Sequence, residues 1–358
     1  MKTKLSILLI ILITGTFVFI TNASMFVLGE THVEGHITQD TVWTLTDSPF
    51  VVIRDVVIEP SATLTIEPGV EVRFGGNFSL VVEGKLTANG TEEKPITFTS
   101  NKLQPKAGDW ITINFESIQP SLLEHCIVKY AKNGVTIENG NVLITRSNIT
   151  NNLQNGFYLF GNNNVSISEN RIENNVNGIF INGSSFGAII QRNFIYFNNE
   201  TGISLFAVNS TQVENVLILN NSLSTNPVGI RVYGQVSSNI TRNSIAYNGL
   251  GISYENASNI APLHYNDIYG NTLAAHANSS NPVDAEYNYW GDRSGPYHPS
   301  LNPYGKGNPV ESNGTDLDFI PFLTINNSYI NQRPMANLLS DKLRVAPNDD
   351  VTLIATLS

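Results

Sequence analysis

The sequence predicts an all-β protein, a right-handed parallel β-helix (a solenoid) of roughly ten coils with three short strands in each coil. Three observations predict this fold. A glycine before an alternating strand recurs at spacings of 22 to 27 residues, from Gly134 to Gly251. An asparagine before a short apolar strand recurs at spacings of 22 to 28 residues. Asparagine is also abundant, with 46 copies in 358 residues, and short runs broken by Asn and Gly are typical of strands and turns.

The N-terminal segment, residues 1–23, is predicted to be a signal peptide. Lys2 and Lys4 precede an apolar run over residues 5–20, and small polar residues follow, with a cleavage point after Ala23. The alternative is an uncleaved anchor, although the run is shorter than the ~20 residues that a membrane span needs. We therefore expect a secreted or cell-surface protein that meets a membrane only through this segment if it stays uncleaved. The Asn-X-Ser/Thr sequons agree with export and with a glycoprotein.

Residues 24–41 are expected to form an N-terminal cap segment, and the β-helix is expected over residues 42–323. Its first coils are longer than the later ones. Over residues 62–74 apolar and polar residues alternate, which suits strands with one face in the core. The apolar positions of this stretch are Leu64, Ile66, Val70, Val72 and Phe74.

In the regular coils, the residue after each recurring glycine is expected to point into the core. Alternate residues of a strand face the same side, so coils stacked about 4.8 Å apart form apolar columns. The predicted inward residues are Val135, Ile137, Phe157, Leu159, Ile179, Ile181, Ile203, Leu205, Ile230, Val232 and Ile252.

The recurring asparagine is predicted to occupy a turn and to form a structural ladder along the solenoid axis. A tight turn needs a residue near the left-handed backbone region, which Asn tolerates best after Gly. Stacked side-chain amides can also hydrogen-bond to one another. The predicted ladder contains Asn148, Asn170, Asn193, Asn221, Asn243, Asn266 and Asn288.

At the C-terminal end, Tyr289, Trp290 and Phe319 are expected to cover the apolar core. A calcium site of three carboxylates is the alternative for this segment, although Ca²⁺ takes ~6–8 oxygen ligands. Those carboxylates are Asp292, Asp316 and Asp318. We expect no other cofactor. Residues 324–334 are predicted to be a linker.

Charge and cysteine content exclude several classes of protein. The formal net charge is −10 and no basic cluster follows Lys4, so nucleic acid is not an expected partner. The single cysteine, Cys126, excludes a disulfide framework and a metal site built from several cysteines.

Three motifs resemble the right-handed parallel β-helix repeat proteins of prokaryotic cell surfaces, a group related in fold to pectate lyases and to the NosD-like β-helix domain. They are "VVIEPSATLTIEPGVEVRF … EGKLTANGTEEKPITFTS", the repeated "NxI…NxxGIxI" and "AEYNYWGDRSGP … LDFIPFL". The resemblance implies a secreted or surface-attached protein, in a group that includes sugar-cleaving enzymes and non-enzymatic members. Residues 335–358 resemble the first strands of a PKD or Ig-like domain, which implies an incomplete module. The NosD-like label suggests copper handling, but that needs clustered Met, His or Cys, which the sequence does not show.

The outward positions of the post-glycine strands predict no acid–base pair. Glu138 and Glu255 share a column but lie five coils apart, about 24 Å at the interstrand spacing. Glycoside hydrolysis uses carboxylates ~5–9.5 Å apart. We therefore expect a structural, adhesive or carbohydrate-binding role without enzymatic activity. A polysaccharide lyase or glycoside hydrolase of the pectate-lyase-like fold is the alternative.

The same strands are predicted to carry an outward aromatic surface that binds a ligand. If the isoleucines after the glycines face inward, their aromatic neighbours face outward, where rings can stack on sugars. The predicted binding residues are Tyr158, Phe160, Phe180, Phe206, Arg231 and Tyr233, and the expected partner is a cell-wall or extracellular polysaccharide. The alternative is that the loops at 103–108 and 209–216, the C-terminal tail or a second protomer covers these rings, the last of which requires an oligomer.

Overall fold

The computed structural model of the protein describes residues 29–208, 211–258, 260, 262–312 and 317–327. The predicted signal peptide (1–23), most of the predicted linker (328–334) and the predicted incomplete module (335–358) lie outside these residues. Within the described part, no helix is both long and apolar enough to cross a membrane.

The described chain consists of strands joined by short corners, with one 3₁₀ helix at Leu45–Asp47. In chain order the strands are β1 (Thr31–Ile37), β2 (Thr41–Trp43), β3 (Phe50–Ile58), β4 (Thr63–Ile66), β5 (Glu71–Phe74), β6 (Leu80–Val82), β7 (Lys85–Asn89), β8 (Ile96–Ser100), β9 (Ile113–Phe115), β10 (Ser121–Glu124), β11 (Cys126–Lys129), β12 (Val135–Glu138), β13 (Asn141–Thr145), β14 (Asn148–Thr150), β15 (Asn155–Ser168), β16 (Arg171–Glu173), β17 (Asn177–Gln191), β18 (Phe194–Tyr196), β19 (Thr201–Phe206), β20 (Val213–Leu219), β21 (Ser222–Ser224), β22 (Val228–Thr241), β23 (Ser244–Ala246), β24 (Leu250–Ser258), β25 (Leu263–His264), β26 (Asp267–Tyr269), β27 (Leu273–Ser279), β28 (Val283–Asp284), β29 (Pro296–Tyr297), β30 (Gly307–Ser312) and β31 (Leu317–Asp318).

These strands wind into a parallel β-helix of about ten coils, which confirms the predicted fold. We name its three sheets A, B and C; the chain passes through them in the order C, A, B. Sheet A contains β6, β9, β12, β19, β24, β27 and β30; sheet B contains β2, β4, β7, β10, β13, β20 and β25; sheet C contains β5, β8, β11, β14, β16, β18, β21, β23 and β26. Strands β1 and β3 bend from C into A, and β15, β17 and β22 bend from A into B, so neighbouring predicted strands are joined there.

The predicted inward residues of the regular coils are all buried, none more than 1% exposed. Large rings fill the wider N-terminal coils. Phe74 stacks on Trp110 with ring centroids 4.0 Å apart, and Trp43 stacks on Phe50 at 4.7 Å. Both tryptophans are buried, so the core is continuous from the first coils.

At both ends, residues beyond the expected boundaries of the β-helix contact the solenoid. At the N-terminal end, β1 already pairs in parallel with β3, so the first coil begins at Thr31, inside the expected cap segment. At the C-terminal end Trp290 and Phe319 are buried. Asn327, within the predicted linker, packs back onto the last coils, because its backbone N–H donates to Asp267 Oδ1 over 2.7 Å.

The predicted asparagine column forms a hydrogen-bonded ladder at the corner between sheets B and C. The Oδ1 of Asn193 accepts the backbone N–H and the side-chain Nδ2 of Asn170, at 3.0 and 3.1 Å. Asn170 Nδ2 also donates to the Ile144 carbonyl. The same arrangement repeats along the corner, and its members are Asn170, Asn193, Asn221, Asn243, Asn266 and Asn288.

Asn148 does not belong to this ladder, so its prediction is wrong by one position. It is the first residue of β14, where it pairs with Arg171. Ser147 holds the ladder position instead: its backbone N–H donates to Asn170 Oδ1, and its hydroxyl accepts the Cys126 N–H. The Ser147–Asn170 separation is 23 residues, equal to that from Asn170 to Asn193. Serine can begin the ladder because its hydroxyl accepts the backbone N–H of the coil before it.

A second asparagine ladder, which was not predicted from the sequence, runs along the corner between sheets C and A. Asn175 Nδ2 donates to Asn198 Oδ1 over 3.2 Å, and the ladder asparagines are buried. Most members follow a first-ladder asparagine by five residues, a regular offset that is visible in the sequence. The members are Asn152, Asn175, Asn198, Asn226, Asn248 and Asn271.

The left-handed conformation belongs to the residue before each ladder asparagine, not to the asparagine as expected. Arg146, Glu169, Arg192 and Arg242 have φ of 49° to 59° before first-ladder positions. Phe197, before a second-ladder position, has φ of 53°. Such φ values are costly for side chains other than Gly, Asn and Asp. The buried amide bonds of the ladders hold these corners in place.

Candidate functional site

The candidate site is the outer face of sheet A in the middle coils, where the predicted aromatic residues lie. Parallel register pairs Tyr158 with Phe180 and, one column further along the strands, Phe206 with Tyr233. Their strand neighbours point inward, because side chains alternate across a strand. The structure therefore brings all five predicted rings onto one face.

The five rings form a continuous row, which we call the aromatic stripe: Tyr158, Phe160, Phe180, Phe206 and Tyr233. Ring centroids are 5.3 Å apart for Tyr158–Phe160 and 5.9 Å apart for both Tyr158–Phe180 and Phe180–Phe206. Phe206 and Tyr233 stack at 4.7 Å. Each ring is half-buried, since its neighbours cover its edges and leave part of it open to solvent.

Polar groups border the stripe along its length. Asn182 Nδ2 donates to the Tyr158 hydroxyl over 3.0 Å. At the other end, Arg231 Nε lies 3.2 Å from Glu255 Oε1, and the Arg231 side chain is about one-third exposed. Arg231 is thus beside the stripe, as predicted, and its guanidinium is ion-paired.

A column of glutamates continues the stripe toward the N-terminal end of sheet A. The register Ile58–Val82–Phe115–Ile137 places the following residue of each strand in one outward column. Glu138 in turn pairs with Phe160. We call this row the glutamate column: Glu59, Glu83, Glu116 and Glu138.

The glutamate column corrects the inference that no carboxylates cluster on this face. Glu138 and Glu255 are far apart, but Glu116 and Glu138 occupy neighbouring coils, about 4.8 Å apart along the axis. Burial, together with the charges of Glu138 and Glu83, raises the pKa of the Glu116 carboxyl. The sequence does not reveal these neighbouring carboxylates, because the coils before Gly134 lack the recurring glycine that sets the register.

One of the segments expected to cover the aromatic rings lies elsewhere. The loop at 103–108 lies over sheet C, where Lys102, Leu103 and Pro105 line a cavity of about 380 Å³ with Lys129 and Tyr130. Of the other expected segment, residues 209 and 210 lie outside the described part. The 103–108 loop therefore does not cover the stripe.

The described residues contain no group of three or more His, Cys, Asp or Glu side chains placed to hold an ion. Of the proposed calcium ligands, Asp292 accepts both the hydroxyl and the backbone N–H of Ser294, and Asp316 lies outside the described residues. Burial raises the pKa of the Cys126 thiol far above its ordinary range, so this thiol stays protonated and does not bind metal as a thiolate.

The fold and its ladders define a parallel β-helix protein with an exposed aromatic face. Within that class, the chain belongs to the family described as "Periplasmic copper-binding protein (NosD)", whose model matches residues 89–309. A "Pectate-lyase like beta helix domain" matches residues 35–115. No curated protein sequence matches the chain.

Solved structures with a similar fold include a single-site mutant of the periplasmic alginate epimerase AlgG, at 13% identity and a TM-score of 0.52, covering 80% of this chain and 84% of that one. A double mutant of the same epimerase covers 80% and 84%, at 13% identity and a TM-score of 0.50. At this identity the likeness shows the fold alone.

The copper in the family's description has no matching donor set in the part of the chain that the structure describes. His36 bonds to Glu59 and His264 to Asp284, on different parts of the solenoid. Cys126 is buried, and the three methionines lie outside the described residues. Soft or imidazole ligands must converge to bind copper, so these residues do not fit the ion.

Proposed function

We propose that this protein is an extracytoplasmic β-helix protein that binds a polysaccharide along the aromatic stripe without cleaving it. The main evidence for this proposal is the continuous row of five half-buried rings across four successive coils. It extends about 14 Å along the axis at the interstrand spacing. An extended sugar chain offers apolar ring faces and hydroxyls, which suit aromatic rings bordered by Asn182 and other polar groups.

Two findings support the location and the ligand class of this proposal. The description of the family names a periplasmic protein, and the predicted signal peptide agrees with export. The structurally similar AlgG is named as an alginate epimerase, so a β-helix of comparable fold acts on a polysaccharide. An exposed apolar row of this size is also uncommon on a protein surface that has no partner.

The test is calorimetric titration of the exported chain with defined oligosaccharides, comparing wild type with a Phe160→Ala/Phe206→Ala double variant. We expect at least a tenfold loss of affinity, because each ring removes stacking area at the centre of the site. The matched control is Phe194→Ala/Tyr247→Ala, which removes rings 61% and 65% exposed on other surfaces. Equal losses in both double variants, or none in the first, would refute the proposal.

Glycoside hydrolysis is a second candidate function, favoured by the neighbouring carboxylates of Glu116 and Glu138. Glu116, with its raised pKa, suits a general acid, and Glu138 suits the second carboxylate of such a pair. A reducing-end assay on the same oligosaccharides distinguishes the two functions. If sugar is released, and if Glu116→Gln and Glu138→Gln each abolish this release, hydrolysis is established. Binding without release favours the first proposal.

A further inference from the structure

The outer face of sheet A carries a row of carboxylates next to the aromatic stripe. Its outward residues include Glu83, Glu116 and Glu138, for which the described residues provide no ion-pair partner within 4 Å. Arg231, near the other end of the stripe, is paired with Glu255. The chain has no lysine between Lys132 and Lys306. Glu59, at the far end of the column, is paired with His36, whereas Glu116 and Glu138 leave a negative potential that no ion pair offsets where the stripe ends.

The position of these carboxylates is unfavourable for the fold itself. Like charges directly opposite each other on neighbouring strands destabilise a sheet, and three successive glutamates repeat that arrangement. This repulsion by Glu138 and Glu83 adds to the larger effect of burial in raising the pKa of the Glu116 carboxyl. A bound group of positive charge would relieve it.

We infer that the stripe and the glutamate column together take a glycan that carries protonated amines, of the glucosamine type, rather than a uronate chain. This inference rests on the proposed function and names its ligand class. Sugar rings stack on Tyr158, Phe160 and the rings beyond them. Ammonium groups of the next sugars lie against Glu138 and Glu116, with which they form charge-assisted hydrogen bonds.

Charge complementarity disfavours the other occupants of the face. A uronate chain would bring its carboxylates beside the glutamate column. A second copy docking through a two-fold contact would pair the same surface patch with itself. The like charges of the two columns would then be close to each other, which costs affinity. A neutral glycan loses nothing but gains nothing from the column.

The experiment titrates the full chain with three hexamers of different charge, at low ionic strength: glucosamine, N-acetylglucosamine and galacturonate. We expect the glucosamine hexamer to bind at least tenfold more tightly than its neutral N-acetyl counterpart, and the galacturonate hexamer to bind most weakly. In a Glu116→Gln/Glu138→Gln variant, the affinity ratio of the first two hexamers should fall at least tenfold, since each ammonium–carboxylate contact is worth about five- to tenfold.

The matched control is Glu92→Gln/Glu93→Gln, which removes the same charge from an exposed loop outside sheet A. It should keep the ratio within twofold of wild type, and circular dichroism should show that both variants are folded. Equal loss in both variants would mean attraction by net charge alone and would overturn the inference. Tightest binding of galacturonate, or a dimer in sedimentation that Phe160→Ala/Phe206→Ala dissociates, would also overturn it.

The same titrations separate this inference from the proposed function. If the neutral hexamer binds and requires Phe160 and Phe206, but the affinity ratio is near one, then the polysaccharide site stands and the charge selection is wrong. If none of the hexamers binds at millimolar concentration, the proposed site and its charge selection both fail for these glycans.

Discussion

The N-terminal coils, residues 31–124, and the coils that follow, residues 147–288, turn their corners differently. In the N-terminal coils single side chains accept corner N–H groups: Asp40 accepts from Thr63, and Asp55 accepts from Ser79. In the later coils two ladders of asparagines run along the corners, the first of them beginning at Ser147. Both regions use a side-chain oxygen from a neighbouring coil to satisfy an N–H that turns away from the sheet.

Asparagine repeats along the later corners, where aspartate and serine do not, because of the hydrogen bonds that its amide can form. An amide accepts with Oδ1 and donates with Nδ2, so each ladder residue satisfies one neighbour and is satisfied by the next. An aspartate or a serine corner satisfies a single local N–H group. We therefore expect a substitution in a ladder to disturb several coils, whereas an N-terminal corner substitution stays local.

We expect the largest effect from a substitution in the N-terminal core, where stacked aromatic rings support coils that have no asparagine ladder. Trp110→Ala removes a buried ring that stacks on Phe74 and whose Nε1 donates to the Lys129 carbonyl. We expect a loss of about 3–5 kcal/mol in the free energy of unfolding, measured by chemical denaturation. Ile111→Ala, at an exposed neighbouring position, is the control and should cost much less. A loss below 1 kcal/mol for Trp110→Ala would show that the ring stack is not a main support.

The second effect breaks a ladder at its centre. Asn221→Ala removes the acceptor for Asn193 and the donor to Asn243. We expect a loss of about 2–3 kcal/mol, because buried polar partners are left unpaired at ~1–3 kcal/mol each. Hydrogen exchange should rise in the coils on both sides of residue 221.

Two matched substitutions distinguish a ladder corner from a corner with a single acceptor. Ser48→Ala removes one N-terminal corner acceptor, which serves Glu71 N–H, and should cost about 1 kcal/mol. Asn278→Ala removes an exposed asparagine and should change stability by under ~0.5 kcal/mol. If Ser48→Ala costs as much as Asn221→Ala, the proposed cooperativity of the ladder is wrong.

The smallest effect concerns the glutamate column. The raised pKa of Glu116 means that the folded chain holds this proton more tightly than the unfolded chain. Its stability contribution is therefore present at acid pH and lost as pH rises through the folded pKa. Because the Glu116 side chain is exposed and solvent screens its charge, Glu116→Gln should raise stability at pH 7 by only a few tenths of a kcal/mol and leave it unchanged near pH 3. Thermal melts at both pH values measure the difference, and an equal gain at both would exclude charge repulsion as its cause.

The regular coils could be predicted because the glycine spacing sets both the period and the inward face. That spacing correctly placed Ile179, Ile203 and Ile230 in the core and the five aromatic rings outside. It could not separate Ser147 from Asn148, because a hydroxyl and an amide both accept a corner N–H. Nor could it place Glu83 and Glu116, since the earlier coils vary in length and have no common marker for register.

The left-handed residue ahead of each ladder asparagine has a consequence for how such a chain changes over generations. The buried amide of the asparagine that follows this residue holds its backbone. Its own side chain therefore contributes little to the corner and points to solvent. Arginine, glutamate and phenylalanine all occur there. Each coil begins and ends at the same ladder corners. Insertion or deletion of one whole coil would therefore move every later coil by one step along the axis and leave the contacts within those coils unchanged. A new surface can thus arise by duplication of coils, followed by substitution of one exposed residue in each coil.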